Sequence, residues 1–206
     1  MFVPRVFQNT NHDEVRSFID GNSFGILVSQ SGGKLWGSHI PLLLSEDGSK
    51  LHGHVSKANQ QWKDLEASEV LVIFNGPHTY ISSSWYDHEN VPTWNYIAVH
   101  VYGTVKLIEG EALRHSLSVL VNKYEKNSAN PVSMETMTPE YVSDSLRGLV
   151  GFEIQISRME AAYKLSQNRD QKNHEAIVSQ LEKRNDPEST QVAAAMKATC
   201  PHNKKI

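Results

Sequence analysis

The run His52-Gly53-His54-Val55-Ser56-Lys57-Ala58-Asn59 puts two imidazoles, a hydroxyl, an ammonium and an amide together. They lie where a strand predicted over Leu51–Val55 enters a helix predicted over about Ala58–Glu66. Unpaired backbone N–H groups at a helix start, with Ser56 and Lys57 beside them, are the ingredients of a phosphate site. Gly53 would allow close backbone approach. The alternative is an ordinary capped helix with an exposed lysine. His52 and His54 are two apart on a strand and share a face, the spacing of a metal pair. No cysteine lies nearby and no third ligand completes the set. The two read instead as structural or cofactor-contacting histidines, and no metal is expected.

Three further segments carry polar chemistry. In Trp36-Gly37-Ser38-His39-Ile40-Pro41, Ser38 and His39 could hydrogen-bond a flat heterocycle. Pro41 removes a ladder donor, which implies an edge, a bulge or a place where a ligand meets the backbone. Tyr80–Tyr86 and Val91–Tyr96, the latter with Trp94 and Asn95, mix aromatics with small hydroxyls and an amide, as pockets for flat rings do. Barrel-core aromatics would look similar. Lys164-Leu165-Ser166-Gln167-Asn168-Arg169 sets five polar side chains around one leucine, which suits a solvated turn or a ligand clamp. Ser82–Ser84 lacks a Gly-x-Ser-x-Gly elbow. There is no Rossmann glycine pattern and no P-loop. Cys200, between Thr199 and Pro201, is poorly placed for a catalytic thiol. Catalytic residues are left unassigned.

The elements that must position these residues are legible from periodicity. A short helix is expected over His12–Asp20, and Phe24, Ile26 and Val28 alternate as in a strand. A return strand over Leu35–Leu44 is interrupted at Pro41. Val70–Phe74 reads as a buried strand, a turn is expected at Asn75–His78, and Tyr80–Ser84 extends the chain again. Trp94–Leu107 is the longest strand, with Val99, Val101 and Val105 on one face. Helices are predicted over Glu111–Tyr124 and Pro139–Arg147, strands over Gly151–Ile156 and Ala162–Ser166. Two closing helices follow, His174–Lys183 and one capped by Asp186-Pro187 that runs to about Ala198. This is a mainly β chain with peripheral helices, a small barrel by strand spacing.

Composition bounds the rest. The chain has 206 residues, 39% of them hydrophobic, and a net charge of −3. That is a soluble globular composition with enough length for a sizeable core. A domain with a broad grip on nucleic acid usually carries excess positive charge, and this one does not. Charge is uneven: from Arg158 onward nine Lys/Arg face six Asp/Glu, while residues 1–157 hold 11 against 17. All four tryptophans and six of the ten histidines fall between Trp36 and His100. No apolar run approaches a membrane span, and Met1–Arg5 has no signal-peptide profile. An intracellular, cytoplasmic protein without membrane partners is expected.

Taken together, these segments resemble the PaiB-type transcriptional regulators. The matching stretches are Met1–Pro4, Leu35–Leu44, Gly53–Trp62, Phe74–His78, Tyr80–Tyr86, Val91–Tyr96, Val99–Gly103, Val150–Phe152 and Lys164–Arg169. They run in order over nearly the whole chain. The resemblance implies an FMN-binding split β-barrel over residues 1–170 and a C-terminal helical extension over 171–206 packed on the barrel. It further implies a homodimer with FMN at the subunit interface. By similarity Ser38, His39 and Ile40 face the isoalloxazine, with Pro41 beside them. His54, Val55, Ser56 and Lys57, with Asn59, hold the ribityl phosphate. Trp94, Asn95, Lys164, Ser166, Gln167 and Asn168 close the pocket, with the contributing subunit left open. Negative transcriptional regulation is the implied role, through DNA or a regulatory partner. The alternatives are an FMN-dependent oxidoreductase, of the flavin reductase or pyridoxamine phosphate oxidase kind, and haem binding or degradation. The sequence departs from the family pattern at Gln60 and Ser83, where prolines are usual, at the short loop Asp87–Asn90, and at Ala161-Ala162.

Overall fold

The computed structural model of the chain describes residues 1–199; Cys200 and the end of the expected C-terminal extension lie outside them. Seven strands form one sheet: β1 (Phe24–Ser31), β2 (Lys34–Pro41), β3 (Leu43–Leu44), β4 (Lys50–Ser56), β5 (Val70–Ile81), β6 (Thr93–Ile108) and β7 (Leu149–Lys164). Their order is β2-β1-β5-β6-β7-β4-β3, and the registered pairs are antiparallel. Among the described residues five α-helices accompany them: α1 (His12–Gly21), α2 (Gly110–Glu125), α3 (Pro139–Arg147), α4 (Gln171–Arg184) and α5 (Pro187–Ala198). The fold is the split β-barrel expected from the sequence, with helices around a mainly antiparallel sheet.

The chain divides into two units, and β5, β6 and β7 each pass from one to the other. Ile19–Phe74 and Val101–Met159 make up the first. Its centre is Leu27, Leu42, Leu51, Phe74, Phe152 and Ile154, all fully buried. A satellite core of Leu113, Leu117, Met134 and Val142 lies under α2 and α3. Met1–Phe18, Asn75–His100 and the chain from Glu160 onward make up the second. There Ile81, Val99, Leu165, Ile177, Leu181, Val192 and Met196 are buried. Of the closing helices, α5 starts where the sequence predicts, whereas α4 starts at Gln171, three residues before the expected His174. Asp170 caps α4 by accepting from Asn173 N–H at 3.0 Å. Asp186 caps α5 by accepting from Ser189 N–H at 2.8 Å, with Pro187 in the first turn.

Three further expectations change. The turn predicted at Asn75–His78 is continuous strand within β5. β1 registers on β5 only at Leu71–Ile73, so Pro77 lies beyond the stretch where that ladder would miss its N–H. Likewise Gly151–Ile156 and Ala162–Ser166 are not separate strands, because β7 runs through to Lys164. The polar residues that hid this are satisfied along the strand: Ser157 Oγ donates to Tyr102 O at 3.1 Å, and the Arg158 guanidinium lies 3.6 Å over the Tyr102 ring. The helix expected over 58–66 is a 3₁₀ segment, Gln60–Ala67.

Candidate functional site

In the first unit β2 and β4 stand on opposite sides of a cleft of about 390 Å³. Its walls are Ser38, His39, Ile40 and Pro41 from β2; His54, Val55 and Ser56 from β4; Asn59 from the following turn; and Leu149 at the start of β7. Eight of the fifteen residues singled out in the sequence thus meet in one place, and Lys57 stands exposed in the turn between Ser56 and Asn59. The volume falls in the range of small-molecule pockets.

Both walls follow from local rules. β2 ends the sheet order, so one row of its backbone N–H and C=O groups lies outside the registered ladder with β1. Pro41 closes the strand where Leu42 N–H turns to Ser23 O at 2.8 Å. Side chains alternate along β2, so Ser38 and Ile40 leave one face and His39 the other. The exposed His39 ring lies 6.2 Å from Phe24. Along β4, Leu51, Gly53 and Val55 point inward. The space Gly53 leaves is taken by Leu42 and Phe152, whose atoms lie 2.8 Å from where a Cβ would sit. Gly53 is therefore a core-packing glycine, and its close neighbours are side chains of the barrel, not a ligand. His52 and His54 point to the other face and are half-buried. Burial holds both imidazoles below the usual histidine range, so they are neutral at pH 7.

The turn after β4 differs from the sequence expectation in its donors. Lys57 N–H goes to Gly148 O at 2.8 Å, Asn59 N–H to Ser56 O at 2.9 Å, and Ala58 N–H to Ser56 Oγ at 3.3 Å. Gln61 N–H goes to Asn59 Oδ1 at 3.1 Å. These backbone donors are already committed, that of Lys57 to Gly148 and the others within the turn. What it offers an anion is side chains: the Ser56 hydroxyl proton, the Lys57 ammonium and the Asn59 amide. Hydroxyl, ammonium and amide donors suit a phosphate ester, and the edge row of β2 suits a flat ring with carbonyls and an N–H. The donor set fits FMN.

Two residues escaped the sequence reading. Leu149 supplies an apolar contact to the cleft. Gln61 is fully buried behind it. Its Nε2 donates to Ser29 Oγ at 2.9 Å and Leu27 O at 3.3 Å, while its Oε1 accepts from Ser38 Oγ at 2.6 Å. Glutamine following a helix start carries no local signal of burial.

The remaining sequence candidates lie in the second unit. Trp94 is exposed, with its ring 6.1 Å from those of His78 and Tyr80. It lines a depression of about 420 Å³ with Asn75, Tyr96 and His100. Asn95 is fully buried and spends its amide on Ser166, at 3.0 Å from Nδ2 and 3.1 Å to Oδ1. Ser166 takes a left-handed backbone, φ 59°, and Gln167 closes the turn by donating to Tyr163 O at 2.6 Å and accepting from Leu165 N–H at 2.8 Å. Lys164 donates to Thr93 Oγ1. Desolvation, then Arg169, lowers its pKa. Asn168 is exposed. This segment is a turn closed by Gln167 and tied to β6 through Thr93 and Asn95.

Among the described residues, no group of three or more His, Cys, Asp or Glu could hold a metal ion, and no helix is long and apolar enough to cross a membrane.

Residues 1–158 match the family described as "Putative FMN-binding domain". The "Protease synthase and sporulation protein PAI 2" of Bacillus subtilis (strain 168) is 43% identical over 199 residues, covering 95% of this chain and 96% of its own. Among solved structures, the flavocytochrome Anf3 from Azotobacter vinelandii superposes with a TM-score of 0.59 at 16% identity, over 78% of this chain and 72% of its own. The FAD and heme binding protein from Mycobacterium smegmatis gives 0.60 at 15% identity, over 76% and 73%. At such identities these two speak for the fold alone. The family match and the Bacillus relative span the strands, the cleft and its turn, and the chain belongs to the FMN-binding split-barrel family of PaiB-type proteins.

Proposed function

We propose that the cleft between β2 and β4 holds FMN and that the protein acts as a flavin-bearing regulator of the PaiB type. The observation that carries this reading is the cleft itself: the edge strand β2 and the turn with Ser56 and Asn59 line one space of about 390 Å³, with Lys57 exposed beside it. Ser56, Lys57 and Asn59 would bind the phosphate. The backbone of Ser38–Pro41 would meet the polar edge of the ring, and Ile40, Val55 and Leu149 would supply apolar contact. His54, neutral and half-buried, can donate or accept one hydrogen bond at the ring or ribityl chain without adding charge. When bound, FMN supplies redox chemistry; the protein supplies its orientation.

The working form is a homodimer with the flavin at the subunit interface, in the cytoplasm. Leu35 and Trp36 on the edge strand β2 and Phe24 on the neighbouring β1 support that assembly: these apolar side chains stand exposed at 80%, 43% and 64%, which association would cover. Trp94, Lys164, Gln167 and Asn168 of the partner subunit would close the pocket, with Asn95 and Ser166, buried against each other, holding that segment in shape. The regulatory signal would pass to DNA or to a regulatory protein.

The visible spectrum of the purified protein tests this, read before and after adding FMN and desalting. Flavin bands co-eluting with a dimer are expected. A colourless dimer that cannot retain FMN would overturn it.

A further inference from the structure

Ser38, Asn59 and Gln61 form a closed ring of hydrogen bonds at the cleft wall, through their side chains and the Gln61 backbone N–H. Asn59 Nδ2 donates to Ser38 Oγ at 2.9 Å, Ser38 Oγ donates to Gln61 Oε1 at 2.6 Å, and Gln61 N–H donates to Asn59 Oδ1 at 3.1 Å. The direction of each bond is fixed. Gln61 Nε2 faces two backbone carbonyls, Leu27 O at 3.3 Å and Trp36 O at 3.4 Å, which can only accept. Its Oε1 must therefore face Ser38, and Ser38 must surrender its proton to it. Toward anything in the cleft Ser38 can only accept.

The ring joins the two walls. Ser38 belongs to β2, Asn59 to the turn after β4, and both line the cleft, whereas Gln61 does not. Gln61 is fully buried. A buried primary amide is costly unless its hydrogen bonds are made, and here they tie β1, β2 and the turn together. We infer that Gln61 is a positioning residue: through Ser38 and Asn59 it fixes the phosphate-facing turn relative to the ring-facing strand, and so sets the spacing between the ends of the cofactor. This rests on the reading of the cleft as an FMN site.

The phosphate supplies the test. If Gln61 merely stabilised the fold, its loss would weaken FMN and riboflavin alike. If it sets the spacing between strand and turn, its loss should weaken FMN more, because only FMN uses both. Binding of FMN and riboflavin would be measured by quenching of flavin fluorescence for the wild type, Gln61→Met and Ser38→Ala. Val192→Ala in α5 serves as a destabilised control. The FMN-over-riboflavin preference should fall about tenfold in Gln61→Met and in Ser38→Ala and stay at the wild-type value in Val192→Ala. Ser38→Ala opens the same ring from a half-exposed position, so the test survives if Gln61→Met does not fold. A preference unchanged in Ser38→Ala, with flavin still bound, overturns the inference alone. A wild type that binds neither flavin overturns the cofactor reading as well. One that binds both equally overturns the phosphate role of the turn, and this inference with it.

Discussion

At the scale of single residues, the cleft depends on side chains more than on backbone. With the N–H groups of Lys57, Ala58 and Asn59 already committed to Gly148 and Ser56, phosphate affinity must come from the side chains of Ser56, Lys57 and Asn59. Lys57→Ala is expected to weaken FMN about tenfold, the worth of one charge-assisted hydrogen bond at a partly open site. Riboflavin should be unaffected, as read by fluorescence titration of both. The histidines make a separate prediction. His52, His54 and His100 are held below the ordinary value by burial. In the unfolded chain they take up protons as pH falls through about 6.5, and in the folded chain they resist. Stability is therefore full above that value and is lost as pH drops below it. Urea unfolding midpoints should fall between pH 7.5 and pH 5.5, and His54→Gln should shrink the drop.

At the scale of elements, long strands are shaped by which glycines leave room and for what. A Cβ on Gly103 in β6 would sit 2.3 Å from Gln155 O of β7, a backbone atom that cannot swing aside. Gly103→Ala should cost at least about 2 kcal/mol in denaturant unfolding. Gly37 in β2 is the contrast, since its nearest neighbour would be Ile26 Cγ2 at 3.8 Å. Gly37→Ala should be close to neutral in the same assay. The helices were the most legible elements, because Asp186-Pro187 and Thr138-Pro139 mark their starts in the sequence and do cap α5 and α3. β5 and β7 were less legible. Proline in one and a polar run in the other broke the local alternation, and only pairing with neighbouring strands carries the chain through.

At the scale of the whole molecule, ligand and assembly should be linked to stability. FMN at a hundredfold excess over its dissociation constant should stabilise the protein by about 2.7 kcal/mol, seen as a rise in melting temperature that riboflavin reproduces only at higher concentration. Light scattering should give twice 23.2 kDa, and Leu35→Glu, which places a charge on the exposed edge strand, should shift it toward the monomer. The net charge of −3 gives no broad grip on nucleic acid. Fluorescence anisotropy with duplex DNA at low salt is therefore informative in both directions: a steep salt slope would make DNA the partner, and flat anisotropy would point to a protein.

The sequence by itself determined most of the helices and strands, the caps of α3 and α5, and the two segments, around Ser38 and around Ser56, that line the cleft. Those are local matters, set by periodicity, φ restriction and side-chain-to-backbone bonds between near neighbours. The tertiary structure decided what each residue meets. It turned Gly53 toward Leu42 and Phe152, and paired Asn95 with Ser166, 71 residues away. It also buried Gln61 between strands to join Ser38 with Asn59. Such partners are chosen by close packing and by the need to satisfy every buried polar group. Both are properties of the assembled core that no window of neighbouring residues contains.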